Sequence, residues 1–86
     1  MTEEPNKSRK PKDLRKYDLI LVDDGGGGAV VYRRGQRLGR FMPKPGAVRA
    51  LQLMGMKALE INLSMMDLEQ ERMTIQALDN LVKGKP

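Results

Sequence analysis

The apolar pattern of this chain changes period once, and Pro43 and Pro45 mark the place. Upstream, β-rich runs alternate with turn residues. Leu19-Ile20-Leu21-Val22 is followed by Asp23-Asp24 and Gly25 to Gly28, then by Ala29-Val30-Val31-Tyr32-Arg33, Arg34-Gly35-Gln36 and Arg37 to Met42. Gly and Asp supply the backbone angles of tight reversals, so strand runs punctuated this way predict hairpins. The expectation is a three-stranded antiparallel β-meander with a longer first loop and a tight second one. Proline has no N–H to give to a ladder, and Pro43 and Pro45 close the third strand.

Downstream the period is about 3.6. Ala47, Ala50, Leu51, Met54, Ala58 and Ile61 fall on one helical face, with Arg49, Gln52, Lys57 and Glu60 opposite. The Gly46 region opens this helix. Gly55 lies inside the pattern, at a penalty of ~1 kcal/mol relative to Ala. Ser64 followed by Asp67 resembles a capping box with a shorter acid, which starts a second helix at Met65. That helix runs to Lys83 and stops at Gly84, a normal terminator. A rival pattern exists. Met54, Ile61, Leu68, Ile75 and Val82 recur every seven residues, and no proline lies between Pro45 and Pro86, as in one long coiled-coil helix. The companion heptad positions are poor, held by Lys57, Ser64, Glu71, Arg72 and Asp79. The fold class expected is therefore α+β: a β-meander followed by two α-helices (or one long helix).

Residues 1–16 are polar, carry Pro5 and Pro11, and contain one aliphatic residue, Leu14. Such a segment buries too little apolar surface to offset its ordering entropy. It is expected to be a disordered basic arm, leaving residues 17–86 as a single small α+β domain. A core of that size is marginal alone, and disulfides, metals or oligomerisation are the usual remedies. The 86 residues contain no Cys and no His. That removes disulfides, thiolates, the commonest metal ligand and the commonest general base. The expectations are no metal, no cofactor, no enzymatic activity, and a homodimer whose seam is Met54, Ile61, Leu68, Ile75 and Val82. No apolar run approaches the ~20 residues that span a bilayer. The polar N-terminus lacks the apolar stretch of a secretory signal. The expectation is a cytoplasmic protein without a membrane partner.

Charge is laid out unevenly. Residues 1–50 hold twelve Lys/Arg against six Asp/Glu, a net of +6, and residues 51–86 hold four against five, a net of −1. The basic half contains the strands. The Gly25–Gly28 run is not a phosphate loop, because strand sequence rather than a helix follows it and Asp23 and Asp24 flank it. The acid pair lacks the spacing of a calcium loop and fits turn chemistry.

The sharpest local signal is Tyr32 to Phe41, where four arginines and a glutamine crowd a short hairpin. Two-stranded ribbons fit the DNA major groove, Arg and Gln read base edges there, and aromatics stack on unpaired RNA bases. The leading expectation is thus a small nucleic-acid-binding or regulatory protein. Its contacts with DNA or RNA would come from Arg33, Arg34, Gln36, Arg37, Arg40 and Lys44, with Lys10, Lys12, Arg15 and Lys16 of the arm adding sequence-independent affinity. The alternative is a protein-binding inhibitor, adaptor or assembly factor. It would dock on a larger protein through a Met-rich helical face drawn from Met54, Met56, Met65, Met66 and Met73. Arginines sharing one exposed face, unpaired with acids, favour nucleic acid. A face broken by Asp18, Asp23 or Asp24, together with an open apolar helical patch, favours protein.

Overall fold

The computed structural model describes residues 13–84. Its chain order is a 3-10 turn at Leu14–Lys16, β1 (Leu19–Asp23), β2 (Ala29–Arg33), β3 (Gln36–Phe41), α1 (Ala47–Leu53), β4 (Ala58–Asn62), a 3-10 turn at Leu63–Met65, and α2 (Leu68–Lys83). The α+β class and the antiparallel β1–β2–β3 meander are present. The meander is three quarters of the sheet, not all of it. A fourth strand, β4, lies parallel to β1, so the sheet is mixed and its order is β3-β2-β1-β4.

The correction falls on residues 47–61, expected to be one helix. Helix α1 stops at Leu53. Met54 caps it, Gly55 adopts φ +96°, the Gly55 N–H donates to the Gln52 carbonyl at 3.0 Å, and the Met56 N–H donates to the Leu51 carbonyl at 3.0 Å. That bond pair is a Schellman motif, which needs a left-handed residue after the helix cap and so selects glycine. Gly55 ends the helix instead of weakening it. Beyond it, Ala58-Leu59-Glu60-Ile61-Asn62 alternates across two faces as a strand does. The Gln52 side-chain amide donates to the Ala58 carbonyl at 2.8 Å and ties α1 to β4.

The second helix ends where expected and begins later. It terminates at Lys83 with Gly84 as C-cap. It begins at Leu68, three residues later than Met65, because Asp67 and not Ser64 is its N-cap. The Asp67 carboxylate accepts from the Gln70 N–H at 2.8 Å. Ser64 is held elsewhere: its N–H and hydroxyl both donate to Asn62 Oδ1, at 3.1 and 2.6 Å. Glu69 and Glu71 in the first turn and Lys83 in the last suit the helix dipole.

Strand alternation sends side chains to two apolar layers. On one face, Ile20, Val22, Val30, Ile61, Leu63, Leu78 of α2 and Leu14 form the larger cluster, with Tyr17 and Tyr32 packed against it. On the other, Leu21, Ala29 and Ala58 meet Val48 of α1. The sheet is thus covered by α2 and the Leu14 turn on one side and by α1 on the other. The folded unit starts before residue 17, since Leu14 is only 6% exposed. The expected arm otherwise falls on residues 1–12, which lie outside the described residues.

The hairpin between β2 and β3 is tight, as expected. Arg34 and Gly35 both have positive φ, +50° and +84°, the pattern of a type I′ turn whose twist matches that of the strands it joins. The register slips by one residue at Val31/Tyr32, leaving Leu38 as the extra residue of a bulge in β3.

Candidate interaction surfaces

In an antiparallel pair, residues directly opposite share a face. Arg37 stands opposite Tyr32, and Arg40 opposite Val30, on the side of the sheet covered by α2. Arg33 stands opposite Gln36, on the side of Ala29 and Val31, which is the α1 side. The hairpin arginines therefore do not make one face. The bulge at Leu38 puts Arg40 on the side of Arg37: without it the two-residue turn would still pair Gln36 with Arg33 and Arg37 with Tyr32, and Gly39 to Phe41 would change sides.

Two of the four also hold acids. Arg40 Nη2 lies 2.8 Å from Asp24 Oδ2, and its Nη1 donates to Asp24 Oδ1 at 3.2 Å and to the Gly27 carbonyl at 3.0 Å. The two Arg40 bonds to its carboxylate, then that from the Gly26 N–H, pull the Asp24 carboxyl down to about 2. Arg34 Nε lies 3.8 Å from Asp18 Oδ1. Arg15 is likewise bound to Asp13, at 3.0 Å. Lys16 sits 5.7 Å from the centroid of the Tyr17 ring. Arg33, Arg37 and Lys44 are exposed and have no acidic partner among the described residues. Lys10 and Lys12 lie outside the described residues.

The glycine loop is occupied by its own flanking acids. Asp23 Oδ1 accepts from the Gly25 N–H at 2.8 Å and Asp24 Oδ1 from the Gly26 N–H at 3.0 Å. These are Asx turns, the turn chemistry expected of this pair. Beside the loop, a cleft of about 240 Å³ opens between the sheet and the start of α1. Asp23, Glu60 and Lys44 line it, with Met42, Pro43 and Val48 as apolar walls. Sequence reading passed over Glu60 because it placed that residue on a helix. The β1–β4 register, which sets Glu60 opposite Leu21, is what brings it beside Asp23. Among the described residues, no group of three or more His, Cys, Asp or Glu is placed to hold a metal ion. No helix among them is long and apolar enough to cross a membrane.

The expected self-association seam is dispersed. Met54 caps α1, Ile61 is buried in β4, and Leu68, Ile75 and Val82 lie on α2. The seven-residue recurrence crosses two helix ends and a strand, so it is not one stripe. Nor do the described residues form a Met-rich helical face. Of Met54, Met56, Met65, Met66 and Met73, only Met73 is inside α2, and Met66 and Met73 are half-buried.

What survives is the α2 part. Leu68, Ile75 and Val82 are 78%, 42% and 45% exposed, and the exposed Arg72 and Asp79 lie between them on the same side of the helix. Neither Arg72 nor Asp79 forms an ion pair among the described residues. Helix α2 gives the core one fully buried side chain, Leu78, from its 16 residues. No protein-family model, curated protein or solved structure matches this chain.

Proposed function

We propose that this chain is a non-catalytic protein-binding module, of the adaptor or assembly kind, that docks through the exposed side of α2. One observation carries the reading: three large apolar side chains, Leu68, Ile75 and Val82, stand open to solvent in a single line along one helix. Isolated apolar residues on a surface are ordinary, but a row of them at seven-residue spacing is the pattern of helix docking. The hairpin lends weight from the other direction. Asp18 and Asp24 occupy two of its four arginines, and the three that lie in strands, Arg33, Arg37 and Arg40, are divided between two sides of the sheet. The lack of His and Cys in the sequence supports binding over catalysis. A cytoplasmic setting accompanies this reading.

A second reading, contact of the β2–β3 hairpin with nucleic acid, is favoured by one feature of charge. From Gly25 to Leu59 the chain holds seven Lys/Arg and no Asp or Glu. Of these seven, Arg33, Arg37 and Lys44 lie on the hairpin or just after it and have no acidic partner among the described residues. The two readings separate by site-specific photo-crosslinking in cells, with the reactive side chain placed at Ile75 in one variant and at Arg37 in the other. The proposal expects protein adducts from position 75. Nucleic-acid adducts from position 37 with none to protein from position 75 overturn it in favour of the second reading.

A further inference from the structure

Helix α2 presents more than an apolar row. In chain order its exposed stripe reads Leu68, Arg72, Ile75, Asp79, Val82: apolar, cationic, apolar, anionic, apolar. At about 100° per residue, all five lie within roughly 80° of arc. The sequence of chemistries is complementary to its own reverse. From this the geometry points to a second copy of the chain as the occupant, with α2 packed antiparallel on α2 about a two-fold axis at Ile75. The inference rests on the protein-binding reading and names its partner.

The register follows from helix geometry. A two-fold at Ile75 pairs Ile75 with Ile75 of the second copy and sets Leu68, seven residues before the axis, against Val82, seven after. Arg72 is three residues before the axis and Asp79 four after. At 1.5 Å per residue, Arg72 of one copy then stands within about 1.5 Å, along the axis, of Asp79 of the other. The two positions lie on the same side of the seam, so the symmetric contact has two Arg72–Asp79 pairs flanking an apolar centre. Parallel packing would set Arg72 against Arg72 and Asp79 against Asp79, which is repulsive. Charge thus selects the antiparallel arrangement. A two-fold contact is also closed, so it ends at a dimer and not a fibre.

Energetics point the same way. Only Leu78 of α2 is fully buried within one copy, and the domain is of a size at which association commonly completes a small core. Pairing would remove Leu68, Ile75 and Val82 from water on both copies. The seam is short, so the expected dimer is of micromolar strength rather than permanent.

The test uses the full chain in sedimentation equilibrium and cysteine cross-linking. Wild type is expected to move from 9.7 kDa toward twice that mass as concentration rises through the micromolar range. Ile75→Lys should be monomeric throughout, with unchanged circular dichroism. Arg72→Asp and Asp79→Arg should each weaken the dimer at least about tenfold, and the double exchange should restore it. The chain has no cysteine, so introduced thiols report alone. Leu68→Cys mixed with Val82→Cys should oxidise to a disulfide-linked pair. Leu68→Cys alone should not, because two copies of that position sit about 21 Å apart in an antiparallel pair. Wild type that stays at 9.7 kDa to several hundred micromolar overturns the inference. So does Leu68→Cys linking to itself as readily as to Val82→Cys, or a double exchange that fails to restore. A monomer whose position 75 still captures another protein in cells overturns the self-pairing alone. A monomer with no adduct from position 75 overturns the protein-binding reading with it.

Discussion

Arg40 clamps Asp24 across the β1–β2 loop, with two guanidinium nitrogens on two carboxylate oxygens at 2.8 and 3.2 Å, and the same Nη1 reaches the Gly27 carbonyl at 3.0 Å. A planar fork on a carboxylate is the most specific ion pair a surface offers. Here it joins the end of β3 to a loop that contains four consecutive glycines. The residue that sequence reading assigned to nucleic acid is therefore engaged in holding its own loop.

The clamp predicts a titration. Asp24 in the fold is held at about 2, below the ordinary 3.8, chiefly by Arg40. A depressed carboxyl stabilises the fold above its unfolded value and loses that contribution as pH falls through its folded one. The contribution should therefore be complete above roughly pH 4–5 and fade toward pH 2. In Arg40→Gln, the Asp24 carboxyl should titrate close to its ordinary value. Carbon-13 chemical shifts of the side-chain carboxyl measure both. An Asp24 value unchanged in the variant would assign the shift to the loop amides instead.

The meander, the first residue of α1, the end of α2 and the tight turn at Arg34-Gly35 were legible because each has a local signal within a few residues. The fourth strand was not. Ala58 to Asn62 carries apolar residues at 58, 59 and 61, which fit a helix face and a strand equally. What decides between them is the parallel partner β1, about forty residues away. Gly55 was the available clue, since a glycine followed by an apolar residue is as good a helix stop as a helix flaw. The arginine hairpin failed for a related reason. One bulge at Leu38 brings Arg40 to the side of Arg37, opposite that of Arg33, and nothing in the composition announces it. The α2 stripe was visible as the latter part of a heptad, but only the loss of Met54 and Ile61 to other elements shows where it begins.

Arg34 predicts a stabilising substitution. It holds φ +50° as the first central residue of a type I′ turn, a place where Asn is strongly favoured. Arg34→Asn should raise unfolding free energy by about 0.5–1 kcal/mol. The substitution gives up the 3.8 Å contact with Asp18, but both partners are well exposed and the loss should be smaller than the gain. Urea titration decides, and a lower midpoint would mean that the Asp18 contact outweighs the strain.

Gly28 predicts a site where a single methyl is not tolerated. An added Cβ would stand 2.6 Å from the Phe41 carbonyl oxygen and 3.0 Å from Met42 Sδ, on a residue at φ +75°. The methionine can yield, but the carbonyl belongs to the β2–β3 ladder. Gly28→Ala should therefore destabilise by more than about 2 kcal/mol. Gly27→Ala, at φ +87° with open space around it, should cost about 1 kcal/mol. Equal losses at the two positions would mean that strain alone, without the Phe41 contact, sets the penalty.

Leu14 predicts where the cooperative unit begins. It is buried at 6% exposure in the cluster of Ile20, Val22, Val30, Ile61, Leu63 and Leu78, on a turn that packs against α2. The turn is fixed locally, since Asp13 Oδ1 accepts from the Arg15 N–H at 3.1 Å. Leu14→Ala removes apolar volume from the larger buried cluster and should cost about 2–4 kcal/mol. Leu68→Ala removes the same atoms from a side chain that is 78% exposed in one copy, and at low protein concentration should change stability by less than about 0.5 kcal/mol. At high concentration the second variant should lose the concentration-dependent rise in unfolding midpoint that a dimer confers. The pair of substitutions thus separates the core of one copy from the contact between two. The measurement is urea unfolding at low and high protein concentration. A Leu14→Ala variant as stable as wild type would place the start of the folded unit at Tyr17, as the composition of residues 1–16 suggested.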